Sequence, residues 1–354
     1  FQARFNQNAV SLSPDYAAVS GKVSGRIRAR GEIPDVKVSA TMNADHITAS
    51  GGYLDLESSE ADFTLSGTYP VFHLKDLSAR IPRAGTTFKG QKHHLNDIHL
   101  KVAQGRINMA ARTVSLPEVA FHSGRLGRLM ASLTSEPEKT EIHIQGKETG
   151  LAGFAVSLGL LPAGWQVSGP DAFQVRGRIN AAGNVTVTAD VTFPELGFRN
   201  GQSTLLGDKL SITGTVQGEI DPSGRMFADA SLHADKGEVL VDRFYLNLKQ
   251  SPFSAHVKGT SRMPDGHLEL SPLLFGLKGI LTCRVAGHIL RKDPGWQFDL
   301  SAHIPKTPLQ PLFRLFIVEP FQAGKPFLGT IQVGGRVSAE ASLKGTGSDW
   351  TAKG

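Results

Sequence analysis

The chain of 354 residues holds one cysteine, Cys283. A lone cysteine excludes an intrachain disulfide, a cysteine-based zinc site and a CxxC redox pair. Cys283 sits at an apolar-phase position in the stretch 281–285, so it reads as a small core residue and not as a nucleophile. Aromatic residues are scarce at 7%. No aromatic ladder and no clustered carboxylates mark a polysaccharide-active or adhesive surface. No run of about 18 apolar residues occurs, so no segment reads as a membrane-spanning helix. HExxH, GxSxG, GxxxxGK[ST] and an EF-hand loop are all missing, and nothing marks a catalytic triad. The chain is therefore expected to be no enzyme and to carry no cofactor.

One cluster tests that expectation. In His93-His94-Leu95-Asn96-Asp97-Ile98-His99, alternation puts Asp97 and His99 on one strand face, where they could ligate a metal. The same residues make an ordinary water-facing strand, which is the reading preferred here, with no metal site. The charge has two readings as well. The net charge is +6 and the isoelectric point about 9.4. That balance fits anionic partners, membrane headgroups and nucleic acid among them. The densest basic stretch, Lys22 to Arg30, alternates with Val, Ile, Ala and Gly as a solvated strand face does. No nucleic-acid partner is expected.

What the chain does have is glycine, 39 residues of it, and alternation. Its length exceeds one usual compact core, while only 40% of it is hydrophobic. A hexamer recurs: Lys22–Ile27, Gln174–Ile179 and Gln332–Val337. Each reads polar, Val, any, Gly, Arg, then Ile or Val. Gly25, Gly177 and Gly335 are spaced by 152 and 158 residues. Near-equal spacing predicts a long repeated unit. Three repeats are expected: 1–150, 151–307 and 308–354. The second and third open with amphipathic helices, over 151–161 and 309–318, from i, i+3, i+4, i+7 apolar spacing. A parallel β-helix is disfavoured, since its rungs repeat at roughly 20–30 residues.

Between the copies the chain reads as short antiparallel strands, roughly twenty of them. Val185–Phe193 is the clearest, with Val185, Val187, Ala189, Val191 and Phe193 on one face and Thr186, Thr188, Asp190 and Thr192 on the other. Leu210–Ile220 repeats it and turns at Asp221–Gly224. Further strands are expected over 226–234, 238–248, 253–259, 267–270, 279–290 and 296–304. A hairpin is expected to turn at Ala103–Arg106, a short helix over Gly124–Ser132, and a charged loop over Ser135–Thr140. The third hexamer is expected to open a strand. The fold class is all-β: a long curled antiparallel sheet, a β-taco or groove made of repeats, with short helices at repeat boundaries. The apolar face is thin, and no second apolar layer is available to cover it. An uncovered apolar trough suits an apolar ligand.

Helix, glycine-bearing strand, then many short strands: this order resembles the AsmA-like superfamily, including its TamB and YhdP branches, among the bridge-like lipid-transfer proteins. The resemblance covers essentially the whole chain and rests on pattern. It departs at the start, where residues 1–20 show no helix before the first copy. The resemblance implies a periplasmic protein anchored in the inner membrane by a segment outside this chain. It also implies a hydrophobic groove that shields phospholipid acyl chains between inner and outer membrane. Phospholipid and the two membranes, or their proteins, would be the partners. The chain begins with Phe1 and breaks off within an apparent strand at Trp350–Gly354, so it reads as a fragment of a longer chain. The inward alternates that would line such a groove are Val185, Val187, Val191, Phe193, Leu210, Ile212, Val216, Val285, Ile289, Phe298, Leu300, Ile331 and Val333. The alternative function is a scaffold for outer-membrane protein assembly, in which the sheet receives unfolded β-strands by strand addition.

Overall fold

Alternation of β-branched residues with small or polar ones gives extended backbone with two unlike faces. That pattern runs through nearly all of the chain. The computed structural model describes residues 2–10, 19–32, 36–51, 54–88, 91–124, 127–150, 164–242, 244–262, 267–292, 295–321, 324–346 and 349–353. The expected helix over 151–161 lies outside these residues. The chain divides into two compact units, Phe1–Pro162 with Gln174–Ala181, and Ala163–Phe173 with Ala182–Gly354.

The first unit is built from β1 (Gln2–Val10), β2 (Val19–Arg30), β3 (Lys37–Gly51), β4 (Leu54–Thr68), β5 (Val71–Phe88), β6 (Gln91–Asn108), β7 (Thr113–Ser123), β8 (Gly127–Glu136) and β9 (Lys139–Lys147). Each pairs antiparallel with the next in sequence. The short strand β10 (Gln166–Ser168) belongs to the second unit, and β11 (Ala172–Asn180) pairs with β9.

The second unit continues with β12 (Val185–Arg199), β13 (Leu205–Ile220), β14 (Arg225–Val241), β15 (Phe244–Asn247), β16 (Phe253–Arg262), β17 (His267–Leu277), β18 (Leu281–Lys292), β19 (Gly295–Pro308), β20 (Arg336–Thr346) and β21 (Asp349–Lys353). The long strands again pair antiparallel in chain order. The short β15 adds to the far end of β14, beyond the reach of β16. The sheet is curled and unclosed. Register shifts interrupt its ladders at Phe193/Leu196, Asp208/Ser211, Val257/Gly259, Leu270/Leu273 and Ile304/Thr307. Each bulge adds a residue on one strand, bends it and deepens the twist. Eight long strands lie from β2 to β9, and eight more from β11 to β19 when the short β15 is set aside. The strands therefore repeat with the hexamer.

Helix α1 spans 309–321 and runs three residues past the expected end. It begins with an α turn at Leu309–Phe313, widens to a π turn at Arg314–Val318 and ends in Glu319–Phe321. The Glu319 N–H bonds back to the Arg314 carbonyl, five residues earlier. Pro320 has no N–H to give and its ring crowds the preceding turn, which a wider turn relieves. A 3₁₀ turn at Pro326–Thr330 follows.

Several local expectations are corrected. Residues 127–132 form part of β8, not a helix. There Leu129, Ala131 and Leu133 pair with Phe121, Val119 and Leu116 of β7. The Ala103–Arg106 hairpin does not form, because β6 runs unbroken to Asn108. The loop at Ser135–Thr140 shrinks to a tight turn, with Ser135 paired to Thr140 and Glu136 to Lys139. The expected strand 238–248 is cut at Val241 and returns as β15. The third hexamer opens no strand at Gln332, since β20 starts at Arg336. The turn at Asp221–Gly224 forms as expected, with the Asp221 carboxylate accepting from Ser223 N–H at 2.9 Å, Ser223 Oγ at 2.6 Å and Arg225 N–H at 3.0 Å.

Candidate functional site

Residues paired directly across an antiparallel ladder project to the same face. Following the register of the second unit therefore traces rows across its sheet. One row runs Ala189, Val216, Ala230, Val257, Leu273, Val285, Ala302 and Ala341. A second runs Val187, Gly218, Ala228, Gly259, Leu270, Gly287, Leu300 and Leu343. A third runs Val185, Ile220, Met226, Ser261, Leu268, Ile289, Phe298 and Gly345. Two more contain Val191, Gly214, Leu232, Ala255, Phe275 and Cys283, and Phe193, Ile212, Ala234, Phe253, Leu277 and Leu281. All five rows share one face, and it is apolar with a single serine.

The structure thus brings Val185, Val187, Val191, Phe193, Ile212, Val216, Val285, Ile289, Phe298 and Leu300 onto one surface. Leu210 joins them beyond the bulge, opposite Leu196. Ile331 and Val333 stand elsewhere. They lie on the irregular segment before β20, where the Gln310 side chain accepts from the Val333 N–H. Sequence reading missed Leu232, Val257, Leu268, Leu270, Leu273, Phe275 and Leu343. The bulge in β17 shifts the phase between Leu270 and Leu273, so simple alternation loses the face there.

The first unit has a matching row: Ile27, Ala40, Leu65 and Leu74 pair in turn. Leu74 pairs with Gly105, and Leu116, Leu133 and Ile142 continue the row. A Cβ on Gly105 would stand 2.6 Å from Leu116 Cδ2 and 3.3 Å from Leu74 Cβ. A side chain there would have to push the Leu116 methyl aside.

Packing along these faces is uneven. Leu210 and Val102 are 1% exposed, whereas Val216 is 43% and Leu232 38% exposed. The accessible surface is 22,415 Å² for 37.9 kDa. Two compact units of half that mass each would together show about 17,000 Å². Apolar side chains of the rows, Val216 and Leu232 among them, are part of that open surface. Cys283, on the floor opposite Phe275, is buried, and burial pushes its thiol pKa up.

The other face is polar and cross-linked. Thr215 and Ser231 hydroxyls meet at 2.7 Å. Asp229 holds Lys258 Nζ at 2.9 Å and His256 Nε2 at 2.7 Å, and hydrogen bonds from these two, Lys258 first, keep its carboxyl below the usual range. Asp299 takes Lys344 Nζ at 2.8 Å. In the first unit, Asp97 lies 3.1 Å from His99 Nε2 and 3.5 Å from Arg80. Its carboxylate is shared between side chains of β5 and β6. Among the described residues, no three His, Cys, Asp or Glu side chains gather as a metal site.

Each unit is thus an open antiparallel sheet with one apolar face and one hydrogen-bonded polar face: a β-groove. No family model, curated protein or solved structure matches the chain.

Proposed function

We propose that this chain is a lipid-carrying segment whose apolar β-groove shields phospholipid acyl chains. The observation that carries the reading is the continuity of the apolar rows from β12 to β20, with Val216 and Leu232 left open to solvent on them. Removing an acyl methylene from water is worth roughly 0.8 kcal/mol, so about ten of them offset the ordering of a lipid tail. The glycines within the rows keep the face shallow. An acyl chain on it is free to slide along the rows. The charged headgroup stays in water beside the open face. No side chain is required to do chemistry. In this reading the protein is periplasmic, is held at the inner membrane by a segment outside this chain, and passes phospholipid between the two membranes.

The test is native mass spectrometry with lipid extraction on the 354-residue chain, beside a Val187→Asp/Leu300→Asp variant. Phospholipid should co-purify with the parent and be lost from a variant whose circular dichroism is unchanged. A parent free of lipid, or one that binds unfolded outer-membrane β-strand peptides and no lipid, overturns the reading.

A further inference from the structure

Helix α1 is apolar nearly all the way round: Leu309, Leu312, Phe313, Leu315, Phe316, Ile317, Val318 and Phe321 leave room for few polar residues. Such a helix is usually covered on all sides. Here Leu315 and Val318 are buried, while Ile317 and Phe321 are each about two-fifths exposed. The 3₁₀ turn that packs beside it adds Phe327, 61% exposed, the most open of the large apolar residues described. Lys325 N–H bonds to the Phe321 carbonyl at 3.0 Å, which holds the turn against the helix end.

Along residues 305–337 basic side chains outnumber acidic ones, although Glu238 approaches the helix side through Tyr245 of β15. Between 305 and 337 the basic residues are Lys306, Arg314, Lys325 and Arg336, all exposed, and the one acid is Glu319. Glu319 is already within 3.8 Å of Arg314. Among the described residues, Lys306, Lys325 and Arg336 have no carboxylate partner. Exposed aromatic and aliphatic tips within a basic rim are the features of a surface that sits in the headgroup layer of a bilayer. The tips enter the acyl boundary and the cations meet lipid phosphates.

We propose that the α1 end of the second unit docks onto an anionic phospholipid bilayer. The occupant is the bilayer surface and not a single lipid in the groove. A second protein copy would bury the apolar tips but would set its own basic rim against this one.

The test is flotation of the 354-residue chain with vesicles of phosphatidylcholine alone or with one part phosphatidylglycerol in about three. Parent protein should float with the anionic vesicles, and about tenfold less with neutral ones or in high salt. An Ile317→Ser/Phe321→Ser/Phe327→Ser variant should lose flotation about tenfold while Leu315, Val318 and Phe316 keep the helix in place. A Lys325→Glu/Arg336→Glu variant should lose the preference for anionic vesicles. The groove variant Val187→Asp/Leu300→Asp should float as the parent does, which separates docking from groove filling. Parent protein that stays unbound, a serine variant that floats unchanged, or a dimer broken by that variant without vesicle binding overturns the proposal.

Discussion

Phe244 of β15 meets Phe316 of α1 edge to face, with ring centroids 5.4 Å apart and planes at 72°. This contact ties the helix to the end of β14 by way of the short strand. Edge-to-face pairs contribute about 0.5–1.5 kcal/mol beyond their area. Phe244→Ala is therefore expected to loosen α1 by about 1 kcal/mol while the sheet stays intact. Hydrogen exchange over 309–321 should accelerate several-fold, with β12–β14 unchanged. Equal acceleration along both would show that the helix is not latched there.

The apolar face holds two kinds of residue, and truncation should separate them. Leu210 is almost fully buried against its bulge, so Leu210→Ala is expected to cost about 3 kcal/mol. Val216 is largely open, and Val216→Ala should cost under about 1 kcal/mol. Lipid retention should respond the other way round per unit of stability lost. Urea midpoints measured beside lipid content check both. A Val216 variant as unstable as the Leu210 variant would mean that the face is closed in solution.

Strong acid should weaken a turn. Asp221 is held down to about 2 by the Ser223 hydroxyl and then by the Arg225 N–H, with the Ser223 N–H and the Arg225 charge adding to these. Its folded pKa lies below its ordinary value near 4. The stabilisation is then fully present above that ordinary value and fades as pH falls toward 2. A carboxyl NMR titration should place the midpoint near 2 in the parent and higher in a Ser223→Ala variant, which loses the hydroxyl and keeps both backbone N–H donors. A parent midpoint near 4 would falsify the turn geometry.

Much of this was legible in the residues themselves. Val185–Phe193 alternates without a break, and the register carries its face across the sheet. Where sequence reading failed, a neighbour decided the outcome. Leu126, Leu129 and Met130 fit a helix, but Leu129 with Ala131 and Leu133 also fits a strand, and Phe121, Val119 and Leu116 select the strand. Gly105 looked like a turn residue, yet it is a strand residue whose missing Cβ makes room for Leu116 and Leu74. Ile331 and Val333 follow the strand pattern, but Gln310 holds the Val333 N–H before pairing begins. Each of these contacts joins residues at least eight positions apart, beyond the few-residue spacing that alternation reads.

The ladders of the second unit join strands that are neighbours, or nearly so, along the chain. The skipped elements among the described residues are β11, between β10 and β12, the short β15, between β14 and β16, and the helical segment between β19 and β20. Little loop entropy stands between one strand and its partner. Such a sheet is suited to being laid down progressively during synthesis, each new hairpin docking on the edge left by the last. An edge strand then waits unpaired only as long as the ribosome takes to deliver the next.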